Sequence, residues 1–479
     1  MSSISPENFY RNEDEVLAGL AAVYSEMRSP DGSLWAYYNL SEISTDEMIV
    51  PTRGQDWFDN GRWLEIHRQG WSPTSTSGND DVNRVWVDTF RGIARANVVL
   101  GELPNVAVAD KDIVEGELRG LRAFYYYLLL DMFGGVPIAT TPEIMPRPRS
   151  TRAELFQFIE DELLAARELL PPNWPASDHG RFTQGAADAI LASMYLNAEV
   201  FTGEVTTGGL TPGQPRWQDA IDAADRILNS GEYSLASDFH SNFIADNELS
   251  PENILVAKHL NRPDLGLTFL QRSLHYNQLE PDPWNGFATL AETYYAFDQD
   301  DDRTDIFLVG PQFQLLTGEP IDNRQGQRLV YTPEIQDATQ ATEAEGARIV
   351  KYPPDPNHVA QNHGNDFAWF RLAEIYLIKA EALFELGNSG AALALVNTVR
   401  ERSFEPPEPL AAIDSDVILR ERLFELTAEA KRRQDLIRHG TYTSGTWAFK
   451  QPTDAYRILM PIPQAQMDAN PELVQNPGY

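Results

Sequence analysis

The sequence predicts a mainly α fold: a scaffold of tetratricopeptide-like helical hairpins, an irregular loop-rich layer and a few short β-strands. Three observations predict it. Apolar residues recur at helical spacing within 1–235 and again within 366–440. Several of these runs come in pairs, with alanine at contact positions and aromatics at others. Between them, 236–365 is rich in Pro, Gly, Asn and Asp and exceeds any simple connection.

A first irregular region is expected from about Ser29 to Asp81, holding Trp35, Tyr37, Tyr38, Trp57, Phe58, Trp63 and Trp71 in polar, glycine-containing sequence. The next element is a long helix. In "DKDIVEGELRGLRAFYYYLLLDMFGGVPI" the apolar residues Leu118, Leu121, Phe124, Tyr125, Leu128, Leu129 and Met132 mark one buried face. Gly134 and Gly135 end it by supplying left-handed backbone, and Pro137 prevents resumption. Its three consecutive tyrosines read as core packing, with an exposed binding ring as the alternative. "TRAELFQFIEDELLAARELLP" follows, with Thr151 as N-cap and Glu154 as its capping-box partner. "TQGAADAILASMYLNAEVF" and "WQDAIDAADRILNSGEYSL" form one helix pair. "FAWFRLAEIYLIKAEALFELGN" and "SGAALALVNTVRERS" form another, before "DSDVILRERLFELTAEAKRRQDLIRHG". The first helices of the two pairs share the look of "MYLNAEVF" and "IYLIKAEALF". Such hairpins stack because one alone cannot bury its own face. The layer 236–365 contains short β-like pieces, "NILVAKHL" and "RIVKYPP", and 441–479 is expected to pack as a tail on a single 479-residue domain.

Charge and composition remove several functions. Asp and Glu outnumber Lys and Arg by 71 to 38, giving a net charge of -33. Phosphate recognition needs clustered cations, so a nucleic-acid partner is excluded, and so is adsorption to an anionic membrane face. A solvated acidic surface is the plain reading; adaptation to high salt or cation collection are the alternatives. With no cysteine, disulfides, thiolate catalysis and cysteine zinc sites are excluded. No apolar run approaches the roughly 20 residues that cross a bilayer. The opening "MSSISPENFYRNEDEV" carries no apolar signal region. The expectation is either a protein that stays where it is made or a mature form whose export signal has been removed.

No GxSxG, GxxxxGK[ST], GxGxxG or HExxH motif occurs, and the eight histidines do not pair at metal-ligand spacing on a helix. Paired carboxylates for glycoside hydrolysis could be assembled in space, but any acidic chain offers them. "DQDDDRTD" (Asp298 to Asp305) reads as a solvated turn, with a structural calcium site as the alternative. No other cofactor is expected. The aromatic loops carry more information. Sugar rings present apolar C–H faces and hydroxyls, which proteins bind by stacking Trp or Tyr and by offering planar amide, carboxylate or guanidinium partners. "PTRGQDWFDNGRW" supplies Trp57 with Arg53, Gln55 and Asp56. "LHYNQLEPDPWNGF" supplies Trp284 with Tyr276, Asn277 and Asn285. These eight residues form the expected glycan-binding set, although each Trp alone could equally anchor its loop.

Read together, the blocks resemble the SusD/RagB family of surface glycan-binding lipoproteins. "SPENFYRNEDEVLAGLAAVYSEMR", "STDEM" followed by "WSPTS", "ELRGLRAFYYYLLLDMFGGVPI", "RLAEIYLIKAEALFELGN", "RERLFELTAEAKRRQDLIRHG" and "MPIPQAQMDANPELVQNPGY" fall in the family's order across almost the whole chain. The resemblance implies a non-enzymatic lid. It would be lipid-anchored on the outer face of the outer membrane and deliver captured glycan to a SusC-like TonB-dependent transporter. The family's leader and anchor cysteine do not appear in this sequence, and Met1 is taken to stand in their place. Starch-binding relatives carry a Trp-x-Trp pair after the "TDE" block; here "MIVPTRGQDW" follows Thr45-Asp46-Glu47 and its nearest ring is Trp57. Trp284 in "DPWNGF" falls where those relatives place another stacking Trp. The resemblance therefore implies a glycan other than helical starch. Alternatives are a helical-repeat scaffold or peptide-binding lid without a sugar site, and a secreted glycoside hydrolase.

Overall fold

The computed structural model describes residues 10–28, 33–143 and 145–479. The expected leader and anchor, and the start of the N-terminal block, lie outside the described residues. Helix α1 (Glu13–Arg28) opens on three acids, Glu13, Asp14 and Glu15, and closes on Arg28, each sign placed where the helix dipole favours it. It is followed by α2 (Ser33–Glu42), α3 (Arg62–His67), α4 (Asn83–Glu102) and α5 (Lys111–Phe133). The aromatic stretch expected to be irregular is thus partly helical, and Tyr37, Tyr38, Trp63 and Trp71 are core residues. Their fixing contacts are remote: the Tyr37 hydroxyl donates to Asp131 at 2.9 Å, and the Trp71 indole N–H donates to the Tyr479 hydroxyl at 2.8 Å.

Helix α5 is the centre of the molecule and packs on α4 and α6 (Arg152–Leu169). From Gly116 to Phe133 nearly every residue is buried. Its three tyrosines are core, and each hydroxyl is satisfied: Tyr125 on the Val23 carbonyl, Tyr126 on the Ala139 carbonyl, and Tyr127 between Ser193 and Gln434. The helix stops at Gly134, which adopts φ +71°; a Cβ on Gly135 would stand 1.9 Å from the Ser150 carbonyl oxygen. The capping box at Thr151 and Glu154 is present.

The two expected hairpins are α7 (Gln184–Leu196) with α8 (Trp217–Leu228), and α9 (Leu372–Glu385) with α10 (Ser389–Arg400). They stack through α8 against α9, and α11 (Ser415–Leu426) covers α9 from the far side. Helix α12 (Arg432–Arg438) returns to α5, where Arg433 pairs with Asp131 at 2.9 Å.

Residues 236–365 carry short antiparallel pairings. Asn253–Ala257 pairs with Phe367–Arg371, Met48–Ile49 with Ala288–Thr289, and Phe307–Leu308 with Arg348–Ile349. A buried ionic network ties this layer to the helices. Arg371 pairs with Glu252 (2.8 Å), Glu425 (2.5 Å) and Glu429 (2.7 Å). Arg303 pairs with Asp301, Glu421 and Glu425. The segment expected to be a solvated turn or calcium loop is therefore divided. Asp298, Asp300, Asp302 and Asp305 are exposed, but Asp301 is buried because its carboxylate is taken by Arg303 at 2.7 Å. Removing one member of such a network is expensive, because it strands a buried charge. Among the described residues, no helix is long and apolar enough to cross a membrane.

Candidate ligand-binding cleft

Three loops converge on one face: 51–61, 274–287 and 321–345. The first is sewn to the third by backbone bonds, Thr52 N–H to Ala338 O (2.8 Å) and Ala341 N–H to Thr52 O (2.9 Å). The second leaves the short helix Phe269–Ser273 and folds back on it. Trp284 N–H donates to Gln271 O, Asn285 N–H to Leu274 O and Gly286 N–H to Arg272 O. The third contains a tight turn in which the Asn323 side-chain oxygen accepts from the N–H groups of Gln325 (3.0 Å) and Gln327 (2.9 Å). Together the first and third loops wall a cleft of about 540 Å³, lined by Arg53, Asn323, Arg324, Gln325, Gln327, Arg328, Thr342 and Glu343 among others.

The sequence-predicted residues divide by what their polar atoms already do. Trp57 is an anchor. Its ring packs against Trp63 and Phe287 at centroid distances of 5.3 and 5.7 Å, and its indole N–H donates to the Trp284 carbonyl at 2.6 Å. The fit depends on Gly286, where a Cβ would lie 2.2 Å from the Trp57 ring. Trp284 is different: it is half-buried, and among the described residues its indole N–H makes no hydrogen bond and its ring meets no other aromatic or cationic group. Asn285 is fully buried; its side-chain oxygen accepts from Arg348 at 2.8 and 3.2 Å, and its amide donates to the Glu343 carbonyl. Arg53 is buried too, with its guanidinium bonded to the Thr342 and Glu345 carbonyls. The expectation that Asn285 and Arg53 present hydroxyl partners at the surface is corrected: both brace the loops from within, because buried donors and acceptors must be satisfied there.

Asp56, Tyr276 and Arg324 form a cluster beside the cleft. The Tyr276 hydroxyl donates to Asp56, and the Arg324 guanidinium lies 4.0 Å over the Tyr276 ring centroid. Arg324 also grips Glu343, with Nε to Oε1 at 2.6 Å and backbone N–H to Oε2 at 3.0 Å. His275 completes it from below. Asn277 N–H donates to His275 Nδ1, so that nitrogen is the acceptor, and Nε2–H donates to Glu343 at 2.9 Å. Burial opposes ionisation of Glu343, but the Arg324 and His275 bonds outweigh it and bring the carboxyl down to about 2. Burial and the bond to Asp56 push the Tyr276 hydroxyl up, so it stays a donor. Gln55 and Asn277 are exposed; Asn277 spends its amide on the Asp322 carbonyl at 2.7 Å.

The residues missed from the sequence are those of "DNRQGQR" (322–328) and Glu343. The signal was present: a glycine-containing turn with planar amides and guanidiniums is the same chemistry that singled out 51–63. It lacks an aromatic residue, and so drew no attention. In the fold, the aromatic residue comes from Tyr276, on another loop.

The pattern of the SusD family matches residues 190–479, and a family described as starch-binding and associating with the outer membrane matches residues 32–196. A SusD-like protein, P25, of Formosa agariphila is 23% identical and is aligned over 99% of this chain and 94% of its own. The starch-binding protein SusD of Bacteroides thetaiotaomicron is 25% identical, over 92% of this chain and 85% of its own. Among solved structures, surface glycan-binding protein A of Bacteroides thetaiotaomicron in complex with laminarihexaose superposes with a TM-score of 0.78 at 22% identity, covering 97% of this chain and 99% of its own.

Proposed function

The chain belongs to the SusD family, whose members bind glycans and are not enzymes, and from that premise we propose that it captures a glycan at the Trp284 face. The observation that carries this is Trp284, half-buried with an unspent indole N–H, on a loop whose next residue, Asn285, bonds the Glu343 carbonyl in the wall of a cleft of about 540 Å³ lined by amides and guanidiniums. Trp284 supplies the apolar platform for a sugar ring. Gln55, Gln325, Gln327 and Arg324 supply planar hydrogen-bonding groups for hydroxyls. Trp57 acts beneath, fixing the Trp284 main chain. Affinity for a single oligosaccharide is modest, because the groups are few and water competes for every hydroxyl.

The same reading places the protein on the outer face of the outer membrane. There it hands glycan to a SusC-like TonB-dependent transporter and works as its lid. Family membership supports this, as does the description of the family matching residues 32–196.

The test is a panel of α-glucans, laminarin, xylans, mannans, fructans and pectins, read by affinity electrophoresis and calorimetry, with Trp284→Ala beside the native chain. Binding of one polymer class, lost at least about tenfold in the variant and without released products, is the expected result. Undiminished binding by Trp284→Ala removes this site; no binding across the panel removes the glycan reading of the isolated chain.

A further inference from the structure

The cleft is cationic in a strongly anionic protein. Against a net charge of -33, its lining carries three arginines, Arg53, Arg324 and Arg328, and one carboxylate, Glu343, while Asp56 and Asp322 meet Arg324 and Arg328 from its edge at 3.3 and 3.5 Å. A fourth arginine, Arg348, stands behind the wall, with one guanidinium nitrogen bonded to the Glu343 carbonyl at 2.9 Å. Arg53 and Arg348 are both buried, and neither has a carboxylate partner within ion-pair distance among the described residues. Their bonds go to the carbonyls of Thr342, Glu343, Glu345 and Gly346 and to Asn285. The Arg53 Nε has no partner among the described residues. Other buried arginines, such as Arg303 and Arg371, sit in carboxylate networks, whereas Arg272 bonds Asn39 instead. Arg328, at the rim, has among the described residues only a 3.5 Å contact with Asp322, both side chains being about half exposed (45% and 57%), besides its bond to the Ile321 carbonyl.

Uncompensated buried charge behind a concave polar wall focuses positive potential into the cleft. The Arg328 fork is free to take a planar or tetrahedral oxyanion. We propose that the glycan bound here is an anionic one, carrying uronate carboxylates or sulfate esters, and that the cleft holds an acidic group while Trp284 stacks on the ring of the same or the neighbouring sugar. The inference rests on the glycan reading above and specifies its substrate class. Arg328 is the direct contact; Arg324 adds its charge while staying locked to Glu343. Arg53 and Arg348 act through the field, since both are buried and their Nη groups are spent within the loops, on carbonyls and on Asn285.

The experiment compares charged polymers with their own neutral forms: polygalacturonate and alginate against their carboxyl-reduced products, and a carrageenan against its desulfated product. Affinity is measured for the native chain, Arg328→Gln and Trp284→Ala at low salt and at about 0.5 M NaCl. The expected result is a preference of about tenfold or more for one charged polymer over its neutral form, shrinking towards parity in high salt. Arg328→Gln then loses about threefold on the charged polymer alone, and Trp284→Ala loses binding of both. The uronate and sulfate pairs tell which acidic group is read. Equal binding of a charged polymer and its neutral form, indifferent to salt, overturns the anionic reading and leaves the glycan site standing. A charge preference untouched by Arg328→Gln overturns the assignment to this cleft. No binding by any polymer overturns the glycan reading and this inference with it.

Discussion

Replacing Glu42 by glutamine should make the protein more stable, and only at neutral and alkaline pH. Glu42 closes α2, and Glu47 precedes the strand that pairs with Ala288–Thr289. Both carboxyls are buried, at 0% and 1% exposure. Glu42 accepts from Ala430 N–H, and Glu47 accepts from Ala428 N–H at 3.1 Å. Those two alanines adopt φ +61° and +64°, a left-handed backbone that a Cβ disfavours, so the two carboxyls hold a strained turn. Burial raises Glu42 to about 7, and burial together with its neighbour Glu42 raises Glu47 well above the ordinary carboxyl value. A carboxyl raised in the folded state contributes its full stability below its unfolded value near 4.5 and loses it as pH climbs through about 7. The difference from the ordinary value corresponds to about 3 kcal/mol. The glutamine side chain keeps the size and the oxygen that Ala430 needs, but has nothing to ionise. Native and Glu42→Gln proteins should therefore melt together near pH 4.5. By about pH 8 the variant should lead by about 3 kcal/mol, which for a chain of this length is about 3 °C in Tm. Differential scanning calorimetry at both pH values reads it directly. A gap of the same size at both pH values would refute the reasoning, since a packing effect has no reason to titrate.

Other outcomes follow from the same geometry. Gly286→Ala should unseat the Trp57 ring, lower stability by about 2 kcal/mol through overpacking, red-shift tryptophan fluorescence and weaken glycan binding without touching Trp284 itself. Asn285→Ala should cost about 3 kcal/mol in denaturant unfolding because it strips the buried Arg348 of its carboxamide acceptor. Asn285→Gly separates the causes: the native φ of +51° suits glycine, so an equal loss assigns the cost to the missing hydrogen bonds, and a near-neutral result assigns it to backbone strain.

The scaffold was legible because its signals are local. The spacing of Leu118 to Met132, the Gly134-Gly135 stop and the Thr151–Glu154 box all act within about one or two helical turns, the range over which backbone bonds and caps operate. The repeated look of "MYLNAEVF" and "IYLIKAEALF" marked the two hairpins for the same reason. The segment 29–81 was misread where its order is borrowed. Nothing near Tyr37 announces Asp131, and nothing near Trp71 announces Tyr479.

By itself, then, the sequence determined the helices, their hairpin pairing, the family pattern and the two loops rich in aromatic and planar polar residues. Only the tertiary structure decided which of those residues face a ligand. Trp57 and Trp284 are equivalent in local sequence, yet one indole N–H is spent on the other's carbonyl across 227 residues. Arg53 reaches carbonyls 289 and 292 residues away and so becomes a buried brace. Arg324, absent from the expected set, meets Asp56 and Tyr276 only once three loops are folded together. A side chain is available to a ligand when its polar atoms and faces are left over after packing, and that remainder is set by long-range contacts.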